Sequence, residues 1–219
     1  MPPIGRPLAV PLSSSRRSWL QAAVVLAAAA APLLAAAQGT PATPTARLRG
    51  TIESVTADAL VLRERSGQRI ELALPANLVV TEMFPVTMAE VKPNSFVGVG
   101  AMPQADGTQK AIAVLVFPEA MRGTGEGHRP FDFLPQSTMT NATVAGRAGA
   151  SDGERLQLTY PGGQQTIVVA PGTPIVSLRP GARDLLVAGG GVSVTAQEVA
   201  GKPTATRITA GRNGFSPPY

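Results

Sequence analysis

The densest gathering of reactive side-chain types lies in MRGTGEGHRPFDFLPQSTMT, residues 121–140. It holds His128, the chain's single histidine, two residues after Glu126 and four before Asp132. Three such groups on one loop are candidate metal ligands. A hard divalent cation would take the two carboxylates with help from backbone carbonyls. Zinc usually draws on several His or Cys residues, and this chain offers one His and no Cys. The same residues also fit a surface loop in which Arg122 or Arg129 pairs with Glu126 or Asp132. A third reading concerns apolar neighbours. Phe131 and Phe133 point the same way in an extended segment, Pro130 and Pro135 stiffen it, and Met121 and Leu134 add apolar area. Burying the two phenylalanines would contribute on the order of 3–5 kcal/mol. This makes residues 121–139 first a docking strap, anchored by Phe131, Phe133 and Met121, and second a metal candidate.

Catalytic patterns are sparse. Nucleophilic catalysis needs a Ser, Thr or Cys beside an activating base, and no Gly-x-Ser-x-Gly turn occurs. A paired-carboxylate hydrolase needs two acids across a cleft, whereas the 14 acids fall mostly on alternating strand positions or in turns. Gly189-Gly190-Gly191 opens no helix, so it is no phosphate loop. The chain reads as non-catalytic, with a hydrolase the weakest alternative.

The elements that position these groups are strands. Charged residues make up 15%, aromatics 4%, and glycine (23) and proline (21) are frequent, which suits short strands and tight turns. Residues 1–37 carry an export-signal pattern: a basic stretch with Arg16-Arg17, an apolar run from Ala22 to Leu34, and Ala35-Ala36-Ala37 before Gln38. The Ala-rich run is shorter than the roughly 20 residues a span needs. Arg16-Arg17-Ser18-Trp19-Leu20 resembles a twin-arginine signal, and an ordinary secretory signal also fits. The expected location is the periplasm, with no membrane span in the mature chain. Without Arg6, Arg16 and Arg17 the 19 basic residues fall to 16 against 14 acidic ones, so the high pI gives no case for nucleic acid. The lack of cysteine excludes disulfides and thiolate metal sites.

Beyond a polar tether (38–45), LRGTIESVTADALVLRERSGQRIELALP alternates with period two. The pattern puts Ile52 and Ser54 on one face and predicts a hairpin at Ser66-Gly67. A second copy follows. Gly67-Gln68 aligns with Gly163-Gln164, Val97-Gly98-Val99-Gly100-Ala101 with Val192-Ser193-Val194-Thr195-Ala196, and Gly107 with Gly201. Thr87, with Glu90 three residues on, predicts a capped helical turn in the crossing segment. Each copy has roughly five strands over about 70 residues, a size suited to a small closed barrel. The expected architecture is all-β: two tandem OB- or SH3-like barrels, 46–120 and 140–212, joined by the strap and followed by a tail, 213–219. One sandwich built from both halves is the alternative.

RGTIESV, the Gly-centred hairpin, the crossing segment, the short apolar strand and the Gly turn together resemble β-barrel domains of unknown function in exported bacterial proteins. RGTGEGHRPFD and STMTNATV resemble a subgroup with two such domains in tandem. The resemblance covers roughly 46–212 and brings no catalytic residues. Together the readings give an exported binding or scaffolding protein. Its partner would be an envelope protein, a glycan or a small ligand in the cleft between the barrels, and a metal-binding accessory protein using Glu126, His128 and Asp132 is the alternative.

Overall fold

The alternation of aliphatic and polar residues becomes strand after strand in the computed structural model, which describes residues 44–219. The expected export signal and nearly all of the tether lie outside those residues. Copy one supplies β1 (Thr45–Val55), β2 (Ala59–Glu64), β3 (Arg69–Ala73), β4 (Val79–Pro85), β5 (Phe96–Pro103) and β6 (Gln109–Val116). The strap carries β7 (Gly127–Pro130). Copy two supplies β8 (Thr138–Ala150), β9 (Gly153–Tyr160), β10 (Gly163–Val169), β11 (Ile175–Pro180), β12 (Gly191–Val199) and β13 (Lys202–Ala210). Helix among the described residues is limited to single 3-10 turns, and none is long and apolar enough to cross a membrane.

Each copy's turns use glycine where the backbone must be left-handed: Gly107 (φ 82°) joins β5 to β6, and its counterpart Gly201 (φ 76°) joins β12 to β13. The β9–β10 loop is shorter than the β2–β3 loop, so Gly162 (φ 87°), not Gly163, takes the role of Gly67 (φ 90°). The alternation of β1 breaks where the sequence pattern had it continue. Ile52 faces Leu62 and Ser54 faces Val61, with a β-bulge between them. β8 bulges at the equivalent place, Val144/Gly146. The crossing segments form 3-10 turns at Met88–Glu90 and Arg183–Leu185, and Thr87 makes no side-chain cap bond, unlike the expected capping box.

Pairing departs from the expected tandem arrangement. The strands join in the order β10-β9-β8-β5-β6-β11-β4-β13-β12-β1-β2-β3, with β10 also pairing β6 and β13 also pairing β3. Two closed circuits result. One joins β1, β2 and β3 of copy one to β12 and β13 of copy two. The other joins β8, β9 and β10 of copy two to β5 and β6 of copy one. Neither copy closes its own sheet, so 46–120 and 140–212 are not separately closed units. Residues 44–219 belong to one compact unit. The cause lies in β4 and β11, which run extended instead of turning back. Seven residues in β4 and six in β11 advance the chain by about 20–23 Å, enough to carry it from one circuit to the other. β4 and β11 pair antiparallel at the seam (Met83 with Leu178, Glu82 with Arg179).

Each circuit encloses its own core. Ile52, Leu60, Leu62, Leu72, Val192, Val194 and Ile208 fill one, with Leu185 and Leu186 of the second crossing segment at its end. Val97, Val99, Val114, Leu156, Leu158 and Ile167 fill the other, with Val91 in the corresponding role. A small third cluster at the seam holds Met83, Leu115 and Val176, with Phe117, Leu178 and Phe215 against it. Beside it Glu82, 4% exposed, accepts from Arg179 (2.6 Å) and lies 3.5 Å from Arg212. These two guanidinium groups hold its carboxyl below the usual range, and they supply the pairing a buried charge requires.

Candidate functional site

The strap and the tail fold over the outer face of the sheet at the seam. The period-two alternation that sends Leu48, Val192, Val194, Ile208 and Val80 into the core sends the intervening residues outward. Register aligns these outward residues in two stripes. Arg47 faces Thr195, which faces Arg207. Arg49 faces Ser193, Ser193 faces Thr209, and Thr209 faces Thr81. They line a cleft of about 520 Å³ together with Leu115, Met121, Phe131, Met139 and Tyr219. It continues past Leu115, Phe131 and Tyr219 into a space of about 550 Å³ lined by Arg129, Asp132 and Asn141.

Charge in this cleft is one-sided. Arg47, Arg49, Arg129 and Arg207 line it, and Asp132 is the only acid among the described lining residues. Asp132 is already engaged: Arg49 Nη2 donates to Oδ1 at 2.8 Å and Nη1 to Oδ2 at 3.3 Å. The Arg49 hydrogen bond, with the charges of Arg49 and Arg47, holds the Asp132 carboxyl below its ordinary range against the opposing effect of burial. Arg129 Nη1 donates to the Gly125 carbonyl at 2.7 Å. Three buried side-chain atoms among the described residues have no hydrogen-bond partner: Arg49 Nε, Asn141 Oδ1 and Tyr219 Oη. All three residues line this cleft. Burial pushes the Tyr219 hydroxyl well above its ordinary pKa, so it stays protonated.

The duplication explains the shape. The bulges make Arg49 the counterpart of Asn141 and Arg47 that of Met139. The β5 and β12 bulges make Gly98 and Gly100 the counterparts of Ser193 and Thr195. Gly98 and Gly100 leave room for rings. A Cβ at Gly98 would stand 2.9 Å from Phe117 Cε2 and from Asn141 Oδ1. One at Gly100 would stand 3.3 Å from Phe131 Cε1 and 3.5 Å from Tyr219 Cε1. Aromatic side chains therefore occupy the copy-one face of the seam. The equivalent copy-two face presents hydroxyls and guanidinium groups to the cleft.

The sequence-selected residues divide differently. Phe131 and Phe133 stack with centroids 6.0 Å apart, and Tyr219 meets Phe131 edge-on at 5.6 Å. Arg49 lies over Phe131 (5.5 Å) and Arg65 over Phe133 (4.5 Å), a cation–π arrangement across the strap. Met121 lines the cleft. The proposed ligand trio does not come together. His128 Nδ1 lies 2.8 Å from the Thr140 hydroxyl, and its ring stacks toward Tyr160. Burial holds its pKa below the ordinary value. Asp132 is turned to Arg49, and Glu126 is exposed. No group of three His, Cys, Asp or Glu side chains suited to a metal occurs among the described residues. β7 pairs with β8 and sets His128 opposite Thr140, while Asp132 is held by Arg49.

Sequence reasoning missed Arg47, Arg49, Arg207, Ser193 and Thr195. The available signal was polar residues on the outward phase of strands whose inward phase is aliphatic. Nothing in the sequence showed that three separate strands bring them side by side. No known protein family, curated protein or solved structure matches the chain.

Proposed function

We propose that this chain is an exported, non-catalytic binding protein of the periplasm. On this reading it is built as two small strand-exchanged barrels that hold an anionic ligand in the cleft at their seam. The observation that carries the reading is the pair of in-register stripes: Arg47, Thr195 and Arg207 beside Arg49, Ser193, Thr209 and Thr81. Guanidinium groups outnumber carboxylates there, and Arg47 and Arg207 form no ion pair among the described residues. Guanidinium donors recognise carboxylate, sulfate or phosphate oxygens by forked, charge-assisted hydrogen bonds. The cleft volume of about 520 Å³ falls in the range of small-molecule sites, which favours a small ligand or short glycan over an envelope protein. The leader pattern of 1–37 supports export, and the Ala-rich apolar run favours the twin-arginine route.

Calorimetric titration of the mature protein at low salt, with small carboxylates, sulfate and neutral analogues, tests the reading. Anions are expected to bind and neutral analogues to bind weakly. The double variant Arg47→Ala/Arg207→Ala should lose about tenfold or more in affinity. Failure of every anion to bind, or binding indifferent to both arginines, would overturn it.

A further inference from the structure

The chemistry around the arginines narrows the ligand further. This step rests on the anion-binding reading above. Neighbouring strands stand about 4.8 Å apart and alternate residues about 7 Å apart along a strand, so the outward hydroxyls form a grid of roughly 5 by 7 Å. Thr195 lies between Arg47 and Arg207, and Ser193 lies beside Arg49. A tetrahedral oxyanion covers one cell of such a grid. It leaves the other hydroxyls, which are both donors and acceptors, without partners.

Asn141 sharpens the requirement. It is 5% exposed, and its Nδ2 donates to the Thr124 carbonyl at 2.8 Å. That bond fixes the amide so that Oδ1 is the unpartnered atom. A carbonyl oxygen accepts only, so its partner must bring an O–H or N–H. Sulfate brings neither. Arg49 Nε, the second orphan, donates only and calls for an acceptor. A ligand that answers both carries negative charge at one place and an O–H or N–H donor at another.

We propose that the cleft binds an acidic saccharide. Its carboxylate would lie against Arg47, Arg49 and Arg207, and its hydroxyls against Ser193, Thr195 and the Asn141 carbonyl oxygen. The full mature chain is titrated with uronate trisaccharides (galacturonate, glucuronate and mannuronate), with their carboxyl-reduced counterparts and with sodium sulfate. At least one uronate is expected to bind about tenfold or more tightly than its reduced counterpart and than sulfate. The double variant Ser193→Ala/Thr195→Val, checked for native fold by circular dichroism, should weaken uronate binding about tenfold, well beyond its effect on sulfate binding. If sulfate binds as tightly as every uronate, or if removing the hydroxyls changes nothing, the saccharide assignment falls. Dependence on Arg47 and Arg207 would then still uphold the anion cleft. If no anion binds at all, both fall.

Discussion

Phe131 and His128 sit three residues apart in one strap, yet they do different work. Phe131 meets Phe133, Tyr219, Arg49 and the open surface over Gly100. Truncating it removes apolar burial and the ring that Arg49 covers. His128 makes a hydrogen bond to Thr140, whose own exposure is zero. Removing the imidazole leaves a buried hydroxyl to find another partner, a cost of about 1 kcal/mol. Phe131→Ala is expected to destabilise by about 2–3 kcal/mol, discounted from the fully buried case because the ring is half-buried. Urea denaturation of the two variants checks the order, and a larger loss for His128→Ala would reverse these roles. The candidate trio was legible as residue types, but the direction of each side chain was not. Asp132 lies 83 positions from Arg49 in the chain, and only the fold introduces them.

At the scale of elements, β5 and β12 are the same strand written twice with different outward residues. Gly98 and Gly100 in β5 admit rings, and Ser193 and Thr195 in β12 keep the face polar. A substitution therefore has opposite consequences at equivalent places. Gly98→Ala would press a methyl group against Phe117 and Asn141, and it is expected to cost about 1–3 kcal/mol through overpacking. Ser193→Ala removes one outward hydroxyl from a half-exposed site and should stay within about 0.5 kcal/mol. Thermal melts of the two single variants separate the cases, and equal effects would contradict the asymmetry of the seam. The alignment of these strands was visible in the sequence, as were the inward valines. What the glycines make room for was not visible, because Phe131 and Tyr219 belong to distant segments.

At the scale of the whole molecule, the two copies exchange strands. β1–β3 close with β12 and β13, and β8–β10 close with β5 and β6. A single copy is thus two parts of different circuits. Expressed alone, residues 44–120 are expected to yield no folded monomer. Two such fragments can supply each other's missing strands, as in domain swapping, so light scattering should report a dimer when the fragment folds. A folded monomer would overturn strand exchange. The cleft is also a property of the exchange, since Arg47 and Arg49 come from β1 of copy one and Arg207 from β13 of copy two, and they meet only because β12 lies between them.

The order of aliphatic and polar residues determined the strands, their inward faces, most of the turns and the duplication, because period two and left-handed glycine turns are local constraints. The sequence left open which copy's strands would pair. Leu48 can face Val99 or its counterpart Val194 with the same alternation satisfied, and in the fold it faces Val194. Near-identical partners make that choice degenerate at the level of pattern. The extended run of β4 and β11 across the seam resolves it. That choice brings Arg47, Arg49 and Arg207 onto one face, so tertiary structure alone decides where the candidate site lies.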